Sequence, residues 1–441
     1  MNKCLSIGEQ KDPIGSGLLH PVAKLVGGTA VSRMLVLIAT MLLTRIYTPG
    51  DFGILAVYAS IVNIAVVVSS LRFEFAIPLP EHDDIAANLM GVSFVVLSGW
   101  TALVALGTLV VNEPILAAIG QPDLATCLWI FPVGIFLSGA FNILTYWAVR
   151  KKAFTQIART NVAQGLGMTL SQLILGLLSA GPLGLLIGQI IGTSSGILTF
   201  AKLARNHLEQ ISVQKMRVTV RIYHQFPLFS SPAALFNAAV LNMPALFLSA
   251  MYGFATAGFY MLAQKAIGIP MTLIGTAVSR VYLSEAPKLL RENPSKLQRL
   301  FLALSLRLLL SAIMPSLVLV AGGPWFFSLT FGAEWKTAGS FAQILSATFV
   351  SQFVTSPLSH TLIITGKQTW QLCWDVGRFL ALFLGFCSAY AGSWSPSESL
   401  LVYSAIMFAA YALLFVMSNL SIQRPTARLK NDPGLHNPMA G

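Results

Sequence analysis

Charge is scarce in this chain. Only 10% of its 441 residues are Asp, Glu, Lys or Arg, 55% are hydrophobic, and the mean hydropathy is +0.72. Soluble domains carry about 25% charged residues, so composition excludes a soluble globular fold and implies an integral membrane protein. Cysteine is equally sparse. Cys4, Cys127, Cys373 and Cys387 show no CxxC spacing, which argues against a disulfide framework and a zinc site. The sequence has no G-x-x-x-x-G-K-[ST] loop, so the chain reads as a non-enzyme with no cofactor. Any uphill work it does must draw on an ion gradient or on substrate consumption. Glu81-His82-Asp83-Asp84 has the residue types of a metal site. Consecutive helical residues point in different directions, however, so this is a solvated loop or helix start and no metal is assigned. A cleavable leader is not expected: residues 1–21 are polar, and the first apolar run is too long and too charged for an h-region.

Long apolar runs are plentiful. A span takes about 20 mostly apolar residues. Twelve stretches qualify, at roughly 22–46, 52–71, 86–111, 124–148, 160–180, 182–201, 226–250, 254–279, 298–321, 338–365, 369–390 and 398–420. The longest internal hydrophilic segment, 202–225, separates six from six. This divides the chain into an N-terminal lobe (1–204), a cytoplasmic linker (205–225), a C-terminal lobe (226–423) and a cytoplasmic tail (424–441). An even number of spans per lobe makes the two repeats parallel in topology. A short echo fits duplication: Pro49-Gly50-Asp51-Phe52-Gly53 opens span 2, and Phe254-Ala255-Thr256-Ala257-Gly258 opens span 8.

The formal charge is +12 and the pI about 9.7. The basic residues gather in alternate loops, including Arg150, Lys151 and Lys152, Lys215, Arg217 and Arg221, and Lys288 and Arg291, whereas the other loops hold only Lys336. That alternation is the positive-inside pattern with both termini cytoplasmic. The basic balance is therefore a topology signal, and nucleic acid is not an expected partner. The loops assigned outside are short, so a soluble extracellular domain is excluded. The longest, 322–337, carries Trp325, Phe326, Phe327 and Trp335 and reads as an interfacial amphipathic stretch.

Seven basic side chains lie inside or at the ends of spans: Lys24, Arg33, Arg45, Lys265, Arg280, Arg307 and Arg378. Asp375 is the one acid in a span interior. A charge at the bilayer centre costs at least ~2.5–3.5 kcal/mol and is by default a functional site. An excess of one sign suits a cavity built for an anion. Arg33 lies about 16 Å into span 1, near the midplane, as either a cavity ligand or one partner of a buried pair. Lys265 is similarly deep, and Pro270 behind it interrupts the helix ladder. Arg307, about 13 Å deep, is within reach of the cytoplasmic surface. Arg378 has Asp375 three residues earlier on the same face. The two either neutralise each other, or Asp375 is a relay that couples transport. Lys24, Arg45 and Arg280 read as snorkelling anchors, and Arg72 with Glu74 as an ordinary surface pair. Ser230, Ser231, Asn237 and Asn242 in span 7 suit helix–helix hydrogen bonding as well as sugar binding.

The stretch from Arg33 to Pro80 resembles the opening of bacterial polysaccharide transporters, the O-antigen flippase group of the multidrug/oligosaccharidyl-lipid/polysaccharide exporter superfamily. Arg33, Arg45, Pro49, Phe52 and Gly53 occupy that group's pattern, and Arg72-Phe73-Glu74 with Ala76-Ile77 fit one branch of it. The resemblance is sharp over about 50 residues and elsewhere limited to hydropathy. It implies an all-α membrane protein of about twelve helices in two six-helix lobes around a central cavity that opens alternately to either side. The implied cargo is an undecaprenyl-pyrophosphate-linked oligosaccharide, an O-antigen or exopolysaccharide repeat unit, moved across the bacterial inner membrane. Arg33 and Lys265 take the places of basic residues in the first and eighth spans, although Lys stands where Arg is frequent. Arg307 and Arg378 would assist. Membrane lipids, a polysaccharide polymerase and other assembly proteins are the further partners. The alternatives are a cation-coupled drug antiporter of the same superfamily, a carrier for small anions, and a structural assembly protein.

Overall fold

The computed structural model describes residues 15–110 and 127–423. Cys4, the 112–123 loop and the tail 424–441 lie outside the described residues, as do the side chains of Lys24, Pro270 and Arg280. Among the described residues every regular element is helical. In order they are α1 (Gly15–Ile46), α2 (Pro49–Val68), α3 (Asp83–Val110), α4 (Ile130–Arg150), α5 (Phe154–Leu177), α6 (Pro182–Ser194), α7 (Ile197–Ala204) and α8 (Val213–Ile222). There follow α9 (Ser231–Tyr252), α10 (Phe254–Glu292), α11 (Pro294–Phe331), α12 (Lys336–Thr355), α13 (Thr361–Ile364), α14 (Gln368–Ala391) and α15 (Pro396–Gln423).

Eight of these are long and apolar enough to cross a membrane: α2, α3, α4, α6 with α7, α9, α11, α14 and α15. The chain is thus a multi-pass, all-α membrane protein. The other four expected spans fall on α1, α5, α10 and α12. Each is made less apolar by residues such as Arg33, Gln164, Lys265 and Gln352, and these residues line cavities.

Local sequence explains where the helices start. Thr48 and Asp51 form a reciprocal capping box, with Pro49 at the first helical position of α2. Asn293 caps α11, and Pro294 follows it. A single residue, Gly253, joins α9 to α10 at φ 85°, a conformation that costs glycine little.

The largest core cluster draws on α2, α9, α10, α12, α14 and α15, so α2 packs with helices distant in sequence. A second cluster holds α3, α4 and α7 around the fully buried Trp147. The hydrophilic segment after α7 folds back onto α3. Asn88 donates to the Gln210 carbonyl at 3.1 Å and accepts from the Ser212 amide at 2.9 Å, and Lys215 pairs with Asp84 at 3.0 Å. Asp83 pairs with Arg150 and Lys151 at 2.9 and 2.6 Å, so the EHDD run is a helix start tied by ion pairs.

The aromatic stretch 322–337 departs from the interfacial reading. Its first part continues α11 beyond a break at Gly322. Trp325 and Phe326 are exposed there, but Phe327, Phe331 and Trp335 are buried. The Trp335 indole donates to the Thr44 carbonyl at 3.0 Å, and its ring meets Phe52 edge-on at 5.0 Å. Half of the stretch is therefore packing between α1, α2 and α12.

Candidate functional site: two adjoining polar compartments

Arg33 and Lys265, 232 positions apart in sequence, line one cavity of about 520 Å³. Ser32, Gln164, Gln189 and Thr193 share its wall. α1 packs closely on α5 at this wall, because Gly165 leaves room for Ser32 against it. Lys265 Nζ stands 5.9 Å from the centroid of the Phe52 ring, at cation–π range. Among the described residues, neither Arg33 nor Lys265 has a carboxylate within ion-pair distance. Two cations with open hydrogen-bonding capacity in one hollow have the chemistry that pairs with a doubly charged anion.

A second cavity, of about 540 Å³, shares Gln164 and Thr193 with the first and so adjoins it. Its wall is rich in amides: Asn63 from α2, Asn142 from α4, and Asn237 and Asn242 from α9, joined by Arg72. Asn63 donates to Asn242 at 3.3 Å. Asn242 of span 7 therefore bonds across helices, and Asn237 and Asn242 both line this cavity.

Arg72 and Glu74 are not a surface pair. Glu74 is 3% exposed and accepts a hydrogen bond from the Ser70 hydroxyl. Burial pushes its carboxyl above the ordinary carboxylate range, with Ser70 and the Arg72 charge pulling the other way. The Arg72 guanidinium lies over the Phe75 ring at 4.0 Å.

The remaining candidates stand elsewhere. Arg378 is 4% exposed, bonded to Asp375 at 3.1 Å and to the Asn237 oxygen at 2.9 Å, and stacked 4.1 Å over Trp374. Asp375 also accepts from Gln371 at 3.2 Å. Arg378 thus touches the second cavity only through Asn237. Arg307 lies on an exposed face of α11 beside the exposed Leu306 and Leu310, apart from the other three. Arg45 is exposed and donates to the Leu329 carbonyl at 3.2 Å, near the end of α11. A third cavity of about 380 Å³, between α10 and α12, is lined by Gln264, Ser279, Gln352 and His360.

Asn142, Gln164, Gln189 and Thr193 were not singled out by sequence. An uncharged polar residue in a span carries no large insertion cost to flag it, and its usual role is helix pairing. For Gln164 the one signal is the low apolarity of α5.

Comparison with known proteins accords with this architecture. The succinoglycan biosynthesis transport protein ExoT of Rhizobium meliloti is 23% identical over 346 residues, covering 77% of this chain and 67% of that one. The teichuronic acid biosynthesis protein TuaB of Bacillus subtilis is 24% identical over 212 residues, and the match spans only 44% of its length. The fold matches the lipid II flippase MurJ in an inward closed conformation, with a TM-score of 0.68 at 14% identity over 95% of this chain and 93% of that one. Residues 42–340 match the model of the family described as "Polysaccharide biosynthesis protein", and the chain belongs to that family.

Proposed function

We propose that this protein is a flippase that carries lipid-linked oligosaccharide across the bacterial inner membrane, with undecaprenyl pyrophosphate as the carrier. The observation that carries the proposal is that Arg33 and Lys265, without carboxylate partners among the described residues, stand in the wall of one cavity. A pyrophosphate offers about two negative charges to such a pair. Family membership, a relative named as a transport protein and a fold shared with a named flippase all support transport over enzymatic chemistry.

In this reading α1–α7 and α9–α15 are two six-span halves, with both termini cytoplasmic. The pyrophosphate sits between Arg33 and Lys265, the sugars occupy the amide compartment, and the polyprenyl tail trails into lipid. Rocking the halves exposes the cavity to one side and then the other. Arg378 acts indirectly, by holding Asn237. Arg307 plays at most an outlying part. A polymerase would receive the cargo. The drug-antiporter alternative requires a free carboxylate in the cavity, and Asp375 is already paired.

The test uses proteoliposomes and labelled undecaprenyl-pyrophosphate oligosaccharide. Arg33→Ala and Lys265→Ala should each slow translocation about tenfold or more, on the scale of one charge-assisted hydrogen bond. Normal rates in both variants, with the protein correctly folded, would overturn the anion clamp.

A further inference from the structure

The amide compartment holds one feature that a neutral sugar does not require. Asn63, Asn142, Asn237 and Asn242 each carry a donor and an acceptor, as sugar hydroxyls do. Their internal bonds use only part of that capacity: Asn63 Nδ2 donates to Asn242, Asn242 Nδ2 to the Ala238 carbonyl at 2.8 Å, and Arg378 to Asn237 Oδ1. Among the described residues the Asn142 amide, Asn63 Oδ1 and Asn237 Nδ2 have no partner. Arg72 adds the compartment's one formal charge to this wall.

Arg72 is held in an unusual way. Its backbone is left-handed at φ 64°, which is uncommon for a non-glycine residue and tends to persist where position matters. Stacking on Phe75 occupies the face of the guanidinium and leaves its in-plane N–H edge for hydrogen bonds. No carboxylate forms an ion pair with it among the described residues, and its Nε is buried with no hydrogen-bond partner. Glu74, its neighbour in sequence, is turned to Ser70.

We propose that this compartment selects an acidic sugar, and that Arg72 recognises a carboxylate on the glycan. The inference rests on the flippase reading in one respect: with the pyrophosphate held by Arg33 and Lys265, Arg72 is left for a second anion. The guanidinium fork fits the two coplanar oxygens of a carboxylate. A phosphate on the sugar would offer charge of the same sign, about −1.5 to −2 against −1 for a carboxylate, and the experiment separates the two.

Full-length protein in nanodiscs is titrated calorimetrically with cellobiose, cellobiouronic acid and cellobiose phosphate. The uronic acid should bind about tenfold tighter than cellobiose. That preference should fall below about twofold in Arg72→Gln and be partly kept in Arg72→Lys, which retains charge without the fork. Equal binding of acid and neutral disaccharides by the parent protein, or a preference that survives Arg72→Gln, overturns the proposal. Tighter binding of the phosphate overturns the carboxylate assignment. Should Arg72→Gln fail to fold, Asn142→Leu reports on the compartment itself. It should weaken both disaccharides, and unchanged affinities would overturn the site. Inorganic pyrophosphate, titrated against the parent and the Arg33→Ala/Lys265→Ala double variant, tests the clamp separately, so failure of one reading is distinguishable from failure of the other.

Discussion

Asp375 and Arg378 show how one charged residue's meaning depends on its neighbours. With side chains 14% and 2% exposed, they form a buried pair, and Arg378 also meets Asn237, the Trp374 ring and the Tyr411 hydroxyl. Removing one partner of a buried pair costs about 3–5 kcal/mol, whereas replacing both with apolar residues is often neutral. Asp375→Asn alone should therefore lower the thermal unfolding temperature sharply. The double variant Asp375→Leu/Arg378→Met should recover most of the loss. Flipping measured on the same proteins separates packing from coupling. If the pair only locks α14, the double variant transports; if Asp375 relays a proton or cation, the double variant is stable and inactive.

At the scale of elements, the short 3-10 turn Phe73–Ala76 between α2 and α3 places Arg72 in a cavity wall and buries Glu74. The folded state raises the Glu74 pKa, so it binds the proton more tightly than the unfolded chain does. Its effect on stability is then most favourable below the ordinary carboxylate value of about 4.3 and is lost as pH rises through the higher folded value. Glu74→Gln should melt above the parent at pH 8, and the gap should close toward pH 4. A parent that stays less stable than the variant by the same margin at both pH values would contradict this. The sequence shows the spans because a run of apolar residues is a strong one-dimensional signal. It also shows Arg33 and Lys265, because a deep charge is costly wherever it points. It does not show the Arg72 turn. A charge just past a span end is ordinary, and only the fold reveals that Arg72 lines a cavity while Glu74 turns to Ser70. The aromatics of 322–337 misled for a related reason: Trp and Phe suit a headgroup region and a core equally well. The wall amides Asn142 and Gln164 gave no separate signal, because hydropathy alone cannot tell a cavity-lining amide from one that joins helices.

Across the whole molecule, one contact bears on whether the two halves move. The openings of α2 and α10, the two segments that echo one another in sequence, cross reciprocally. A Cβ on Gly53 would lie 1.8 Å from the Phe254 carbonyl oxygen, and one on Gly258 would lie 2.0 Å from that of Pro49. Gly53 and Gly258 each stand four residues into their own segment, against the first residue of the other, so the crossing is reciprocal. The Arg45–Leu329 and Trp335–Thr44 hydrogen bonds clasp the same end of the bundle. If transport proceeds by rocking, this crossing must part and re-form in each cycle. Backbone cannot yield to a methyl group, so Gly53→Ala or Gly258→Ala should hold the crossing apart by about 2 Å, the shift that restores ordinary contact near 3.5–4.0 Å. Spin labels on cysteines replacing Gly50 and Ala255, in a background lacking the native cysteines, read that gap directly. The label distance should lengthen in either alanine variant, and flipping should slow because closure at this end fails. A lengthened distance with full transport would mean that the crossing does not have to close. An unchanged distance would mean that the two helices do not meet on these glycines in the membrane, and the rocking of halves would lose its closing contact at this end.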